Sequence, residues 1–485
     1  MRPGRLLWPL GAGLVAAGLP ILSSGAIAII LYGEKWPGYP LSLLGLSYIL
    51  AGLLLYRRYY SRLHLWEAVA ATTLIWVVTP ILGAAPFYWL LRIPALDSLF
   101  ESVSAWTTTG LTIFTGEPSS SGGVYVPRIE ELPEAFKWLR TLTQWEGGLG
   151  IVVFTIAVLA PPGISVAVLY LAEGKFERLE ASLKRSAILM GEIYVLLTLA
   201  GVALFSLAGM PLGDAVHHSM TGVATAGFST HSESLGFYHT TPILLAGMIV
   251  VMMGAVSFSD HYNLLRLRLS SLRDSVELKA QILILALATL AGLALWDRDP
   301  SLHHSMQPID VVFNIVSTSA TAGFQSSSLA ESGPGYKLLL ATLALIGGSA
   351  FSTAGGIKVL RILVAMKSIM IEASKTMHPP GYMPNKRLGK YIVGEDLALR
   401  TLAAIAAILA TYTILVLALL IAAPYTSLED AMLEVASAMG NVGVSSGITS
   451  AATSPLVKSI LIAAMSLGRL EVIAYLITAK SLVRL

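Results

Sequence analysis

Four aspartates in this chain are each followed seven residues later by Ser or Thr and thirteen residues later by Gly: Asp97/Ser104/Gly110, Asp214/Thr221/Gly227, Asp310/Ser317/Gly323 and Asp430/Ser437/Gly443. The residues before each Gly are small: Thr107-Thr108-Thr109, Ala224-Thr225-Ala226, Ala320-Thr321-Ala322 and Gly440-Asn441-Val442. Small side chains let extended backbones approach and turn carbonyl oxygens inward, where they can replace the water shell of a cation. Gly adds a backbone conformation that a Cβ resists. No ring of acidic side chains lies within these stretches, so the chemistry is backbone coordination. The candidate ligands are Thr108, Thr109, Gly110, Thr225, Ala226, Gly227, Thr321, Ala322, Gly323, Asn441, Val442 and Gly443. Three stretches carry Thr two residues before Gly and the fourth carries Asn441, which predicts a pseudo-fourfold site. Four residues after each Asp stands a polar residue, Glu101, His218, Asn314 and Glu434, expected to brace the stretch from behind.

The elements that hold these stretches are apolar. Of 485 residues, 55% are apolar and 13% charged, with a mean hydropathy of +0.72, whereas soluble domains carry about 25% charged residues. An integral membrane protein is implied. The absence of Cys excludes disulfides, thiol chemistry and Cys-based metal sites, and a net charge of +3 is too small to suggest nucleic acid. Crossing about 30 Å of hydrocarbon takes roughly 20 residues, and ten such stretches are expected near 11–32, 41–57, 66–91, 145–170, 188–208, 242–262, 277–296, 338–371, 400–423 and 456–478. Most Lys and Arg, including Arg57, Arg58, Lys184, Arg185, Arg266 and the run from Lys358 to Arg400, fall on the side of both termini. By the positive-inside rule that side is cytoplasmic. Met1 to Ala28 also has the pattern of a cleaved secretory signal, but apolar character continues through Ile29-Ile30-Leu31, and a span is expected.

Each Asp-to-Gly segment lies between two spans and is too short to cross as a helix, so it is expected to re-enter from outside. Asp should cap a helix of about ten residues, such as Ser98 to Thr107 or Val311 to Ala320. Four such helices would point the negative ends of their dipoles at one place and favour a cation there. Non-helical backbone at membrane depth is tolerated only when buried in protein or lining a wet cavity. The expected architecture is an all-α polytopic membrane protein with four pseudo-repeats of helix, pore loop and helix around a central ion pore, plus two additional N-terminal transmembrane helices. The N-terminal pair occupies 1–62. The repeats occupy 63–185 (pore loop 97–112), 186–274 (214–230), 275–390 (310–326) and 391–485 (430–446).

The stretches SAWTTTGLT, TGVATAGFST, STSATAGFQS and SAMGNVGVSS resemble the pore loops of the Trk/Ktr/HKT superfamily of potassium transporters. MGAVSFSDHYNLL (253–265), GGSAFSTAGGIKVLR (347–361) and SLGRLE (466–471), together with the two extra N-terminal spans, look closest to the membrane pore subunit of the Trk branch, the TrkH type. The resemblance covers nearly the whole chain. It implies that a filter Gly in all four loops goes with potassium, that residues 347–356 form an intramembrane gating loop, and that Arg469 faces the pore beside it. It also implies a homodimer in lipid and a cytoplasmic ring of nucleotide-binding, TrkA-like regulatory subunits, docking on surfaces such as Phe176 to Arg185 and Lys375 to Arg400.

Two of these features stand independently. Gly347, Gly348, Gly355 and Gly356 with Ser349, Ser352 and Thr353 make a poor apolar helix, read either as a packing kink or as non-helical backbone beside water. Arg469 lies mid-span, where charge is costly and suggests function, the alternative being a partner carboxylate. His217-His218, His303-His304 and Asp260-His261 read as loop or cap residues, the first two pairs at the outer surface. Glu146 is expected to make a structural bond or, alternatively, to attract ions at the outer mouth. No nucleophile and base pair suggests an enzyme, and no bound cofactor is expected beyond K+ as the transported ion. A multi-pass protein of a prokaryotic plasma membrane, with both termini cytoplasmic, is the resulting expectation. Proton- or sodium-coupled symport is the alternative mechanism, although symporters favour inverted repeats and these four share one orientation.

Overall fold

The computed structural model describes residues 4–59, 65–150, 183–379 and 382–483, where the backbone is mostly helical. An N-terminal pair, α1 (Gly4–Tyr32) and α2 (Lys35–Tyr59), precedes four successions of long helix, short helix and returning helix. The first is α3 (Leu65–Leu90), α4 (Ala95–Trp106) and α5 (Glu134–Leu149); the second is α6 (Leu183–Leu207), α7 (Leu212–Val223) and α8 (Thr241–Ala255), extended by α9 (Phe258–Leu265) and α10 (Leu269–Arg273). The third is α11 (Val276–Arg298), α12 (Pro300–Ser305), α13 (Pro308–Ser319), α14 (Pro334–Ile346) and α15 (Val359–Met377). The fourth is α16 (Glu395–Ala422), α17 (Leu428–Gly440) and α18 (Pro455–Val483). An antiparallel hairpin of β1 (Thr115–Pro118) and β2 (Tyr125–Arg128) follows the first short helix, and β3 (Arg387–Leu388) pairs with β4 (Tyr391–Ile392).

Among the described residues, six helices (α1, α2, α3, α6, α11 and α16) are long and apolar enough to cross a bilayer. Three of the other four expected spans are not straight. The stretch 242–262 turns by 103° between α8 and α9, and α18 bends by 95° between Leu470 and Ala474. The stretch 338–371 is broken between α14 and α15. The stretch 145–170 begins in α5 and continues outside the described residues. The short helices α4, α7 and α13 have 12 residues and α17 has 13, about 18 Å at 1.5 Å per residue, well under the bilayer core.

The repeat aspartates are not N-caps. Each is the third residue of its helix, behind caps Pro94, Pro211, Gln307 and Ser427. A carboxylate in the first turn still suits the positive end of the helix dipole, and at Asp310 it accepts from the Gln307 backbone N–H at 3.0 Å. Freed from capping, three of the carboxylates reach a Lys or His at the start of the returning helix of another unit. Lys458 of α18 meets Asp97 of α4 at 2.5 Å, Lys337 of α14 meets Asp430 of α17 at 2.7 Å, and His239 before α8 meets Asp310 of α13 at 3.2 Å. The latches run in one sense, second unit to third, third to fourth, fourth to first. Asp214 is bonded within its own unit, by Thr230 at 2.7 Å and by Tyr238. Units one and two are joined instead by Glu130, which accepts from the Ser232 N–H at 2.6 Å and hydroxyl at 2.7 Å. Burial opposes ionisation of Glu130, but those bonds outweigh it and hold its carboxyl below the usual range.

The N-terminal pair is closed by glycines seven residues apart, Gly11, Gly18 and Gly25 facing Gly52, Gly45 and Gly38. A Cβ on Gly18 would stand 2.7 Å from the Gly45 carbonyl oxygen. In lipid, helices associate through such close backbone packing because hydrocarbon supplies no hydrophobic drive.

Replacing Gly45 with Leu should therefore pry α1 from α2 and cost about 1–3 kcal/mol, as overpacking does, read as a lower unfolding temperature in detergent. Lys458→Ala should cost more, about 3–5 kcal/mol, because it strands a buried carboxylate. A D97N/K458M double variant should recover much of that loss in the same measurement.

Candidate functional site

After each short helix the chain adopts the left-handed conformation at Thr108 (φ 56°), Thr225 (φ 50°), Thr321 (φ 54°) and Asn441 (φ 52°), and again at Gly110 (φ 92°), Gly227 (φ 77°), Gly323 (φ 75°) and Gly443 (φ 103°). Alternating the backbone hand over three residues brings successive carbonyls to one side of the strand. A left-handed residue with a side chain costs about 1–2 kcal/mol. The Thr hydroxyls offset part of that, Thr108 donating to the Thr107 carbonyl at 2.6 Å and Thr225 to the Ala224 carbonyl at 2.7 Å.

The four turns close on one another as a ring. A Cβ on Gly110 would collide with the Ala226 carbonyl oxygen, one on Gly227 with that of Ala322, one on Gly323 with that of Val442, and one on Gly443 with that of Thr109. All four glycines line one vestibule of about 490 Å³. The sequence-predicted ligands Thr108, Thr109, Thr225, Ala226, Thr321, Ala322, Asn441 and Val442 are buried around it or just beneath. Of the twelve backbone carbonyls from the left-handed residues to the glycines, only that of Ala226 accepts a hydrogen bond among the described residues, from Gln144 Nε2 at 2.7 Å. Buried carbonyls are nearly always paired. Eleven without a partner among the described residues, gathered where the four turns meet, are available to coordinate a dehydrated cation. The Asn441 amide nitrogen donates to Thr109 Oγ1 and the Met465 carbonyl, both at 3.0 Å, while its Oδ1 is buried without a partner among the described residues.

Behind the ring, every polar residue four after the Asp grips the chain just past the Gly. Glu101 accepts from Thr112 Oγ1 at 2.9 Å and the Ile113 N–H at 3.1 Å, His218 bonds Ser229 Oγ at 2.9 Å, Asn314 accepts from the Ser326 N–H at 3.2 Å, and Glu434 from Ser445 Oγ at 2.9 Å. The residue seven after the Asp holds the Gly itself in two units, Ser104 and Ser437 accepting from the Gly110 and Gly443 N–H groups at 3.1 and 3.0 Å. Thr221 donates to the Phe228 carbonyl instead, and the Ser317 hydroxyl has no partner among the described residues. The His217-His218 pair, expected at the outer surface, is buried in α7 because His218 is one of these braces. Glu146 is buried in α5, with one carboxyl oxygen unpartnered among the described residues, and does not line the vestibule. No group of three metal-ligating side chains occurs among the described residues.

Two residues at the ring were not predicted. Gln144 spans the second turn, its Oε1 accepting from the Phe228 N–H at 3.0 Å. Arg140, charged but buried, donates to Glu101 at 2.7 Å and to the Ser229 carbonyl at 3.1 Å, with its guanidinium 3.9 Å from the Phe228 ring centroid. Neither belongs to a repeated pattern, so no spacing could have found them.

Below the ring, the chain between α14 and α15 is non-helical, with Gly347 (φ 73°), Gly356 (φ 76°) and Lys358 (φ 80°) left-handed. Its backbone docks on the bend between α8 and α9: Ser349 N–H donates to the Ala255 carbonyl at 3.1 Å and Phe258 N–H to the Phe351 carbonyl at 2.7 Å. From α11, Glu277 accepts from the Ala350 N–H at 2.9 Å and Gln281 from Ser349 Oγ at 3.2 Å. Ser352 folds back on the Ser349 carbonyl at 2.7 Å, and a Cβ on Gly348 would meet Ala354. Thr353, Gly355 and Gly356 line a cavity of about 360 Å³ under the ring together with Arg469. Arg469 donates to Thr108 Oγ1 at 2.9 Å and to the Gly147 carbonyl, and lies over the Trp76 ring at 4.9 Å. A vestibule, a ring of carbonyls and a cavity thus lie in succession, with backbone and an arginine across the last.

Comparison with known proteins agrees with this architecture. A family model described as cation transport protein, TrkH, matches residues 74–291 and 300–483. The Trk system potassium uptake protein TrkH of Salmonella typhimurium is 32% identical over 438 residues, covering 87% of this chain and 86% of that protein. An uncharacterized cation transporter of Methanocaldococcus jannaschii is 30% identical over 445 residues, covering 90% and 87%. The crystal structure of the potassium transporter TrkH from Vibrio parahaemolyticus superposes with a TM-score of 0.81 at 26% identity, covering 98% of both chains. The chain belongs to the TrkH family of cation transport proteins.

Proposed function

We propose that the chain is the potassium-translocating subunit of a potassium uptake system. Potassium enters the vestibule from outside, sheds water at the carbonyl layers of residues 108–110, 225–227, 321–323 and 441–443, and passes inward through the cavity below. The observation that carries this reading is the ring of buried, unpaired carbonyls around four mutually contacting glycines. Selectivity then lies chiefly in the backbone, since the Thr hydroxyls and the Asn441 amide nitrogen are engaged with protein. The relatives named above as potassium proteins favour potassium over other cations.

The loop from Gly347 to Gly356 is the gate on this reading, supported by its non-helical path beneath the ring and its glycine hinges. Arg469 adds a positive charge beside the path, a barrier to cations in the closed state. The face bearing most Lys and Arg is cytoplasmic by the positive-inside rule, which puts both termini there. A nucleotide-binding regulatory ring would dock on that face, at Lys375 to Arg400 and at 176–185, the latter lying largely outside the described residues. A homodimer would cover part of the lipid-facing surface that α11 and α16 leave exposed.

Gly323→Ser would drive a side chain into the Val442 carbonyl, so the K+/Na+ permeability ratio in liposome flux should fall about tenfold or more, equivalent to ~1.4 kcal/mol; an unchanged ratio removes the filter assignment. Arg469→Gln should raise K+ flux severalfold without altering that ratio. Flux measured with a proton-sensitive dye should show K+ movement along its own gradient without proton movement, and proton transport at zero K+ gradient would establish symport instead.

A further inference from the structure

The ring and the loop beneath it are joined by hydrogen bonds that coordination of an ion does not require. Thr321 Oγ1 accepts from the Gly355 N–H at 2.8 Å, Thr225 Oγ1 shares its one proton between the Ala224 carbonyl at 2.7 Å and Thr353 Oγ1 at 3.2 Å, and Thr108 Oγ1 accepts from Arg469 Nη1 at 2.9 Å. These three Thr are the left-handed residues that set the innermost carbonyl layer. In the fourth unit the corresponding side chain, Asn441, bonds protein at Thr109 and Met465, and the loop is packed there without a hydroxyl, a Cβ on Gly355 meeting the Gly440 carbonyl. Three of the four inner-layer side chains therefore point away from the ion path and end on the loop or on Arg469. Thr353 is fixed in turn to the Gly254 carbonyl at 2.9 Å, so the bonds link the ring, the loop and the α8–α9 bend into one network.

We infer that Thr225 and Thr321 are positioning residues that couple gate and filter, an inference resting on the assignment of 347–356 as the gate. With the loop in place their hydroxyls hold it closed and lock the strained turns; with the loop displaced, the turns lose these partners. Coupling of this kind is reciprocal. Loss of one hydroxyl must favour the displaced loop, because the Gly355 N–H or Thr353 hydroxyl no longer gains a bond by closing.

The test is K+ flux through the full chain in liposomes, without regulatory subunit, for Thr321→Val, Thr225→Val, Thr321→Ser and a deletion of residues 350–354. Each Val variant should raise basal flux about three- to tenfold, the worth of one net hydrogen bond. Thr321→Ser should restore the parent value, and Thr321→Val in the deletion background should add nothing. Parental or reduced flux in Val variants that melt normally, with the deletion raising flux, overturns the coupling and leaves the gate standing. A deletion without effect overturns both. Thr225→Val decides the matter if Thr321→Val does not fold.

Discussion

The structure depends on four backbones meeting with no side chain between them. Each glycine of the ring sits where a Cβ would strike the next unit's carbonyl oxygen. The same closeness that excludes a Cβ gathers carbonyls from four units into one buried space. Buried and unpaired, each costs a desolvation penalty of about 1–3 kcal/mol until something replaces its hydrogen bond. That cost must be offset elsewhere in the fold. The latches Lys458–Asp97, Lys337–Asp430 and His239–Asp310 tie down the far ends of the short helices, and the braces from Glu101, His218, Asn314 and Glu434 tie down the chain just past the ring. They resist collapse of the turns toward one another or away from the axis.

The four units share that task but not the rest. The loop under the ring comes from the third unit and Arg469 from the fourth, while Glu277 and Gln281 of α11 hold the loop from the side. The first unit contributes Arg140 and Gln144, which reach from α5 to the second turn. Fourfold geometry is thus imposed on the backbone by unequal side chains. Only a site built from main-chain atoms tolerates such differences between its quarters.

This division explains what could be read from the sequence. The spacing of Asp, hydroxyl and Gly survives in the chain because the backbone geometry repeats, and so the ring residues and their braces were legible. The glycines and hydroxyls of 347–356 likewise announced a non-helical stretch. What escaped depends on partners far apart in the chain. Asp97 looked like a cap because its cation, Lys458, lies 361 residues away. Arg140 stands in no repeated pattern, and its role shows only where Glu101 and Phe228 surround it. The bends after Ala255 and Leu470 fall within continuous apolar runs, where hydropathy reports burial in lipid and not direction. The seven-residue glycine register of α1 and α2 was present as a packing signal, but span counting treats those positions as merely apolar.

On the pore reading, closure beneath the ring is electrostatic as well as steric. The cavity there is lined by Lys358, Arg361 and Arg469. Lys358 Nζ bonds the Ala354 carbonyl, so its charge is fastened to the loop, whereas Arg469 belongs to α18 and bonds the first unit. Displacing the loop would therefore move a plug of backbone and a positive charge together, while Arg469 would lose neither its helix nor its contacts with Thr108 and Gly147. A unit charge at 4 Å is worth about 4 kcal/mol to a passing cation near a protein surface and about 1 in bulk water. Wetting the cavity as the loop leaves would weaken the repulsion that remains from Arg469, so one movement would lower both parts of the barrier.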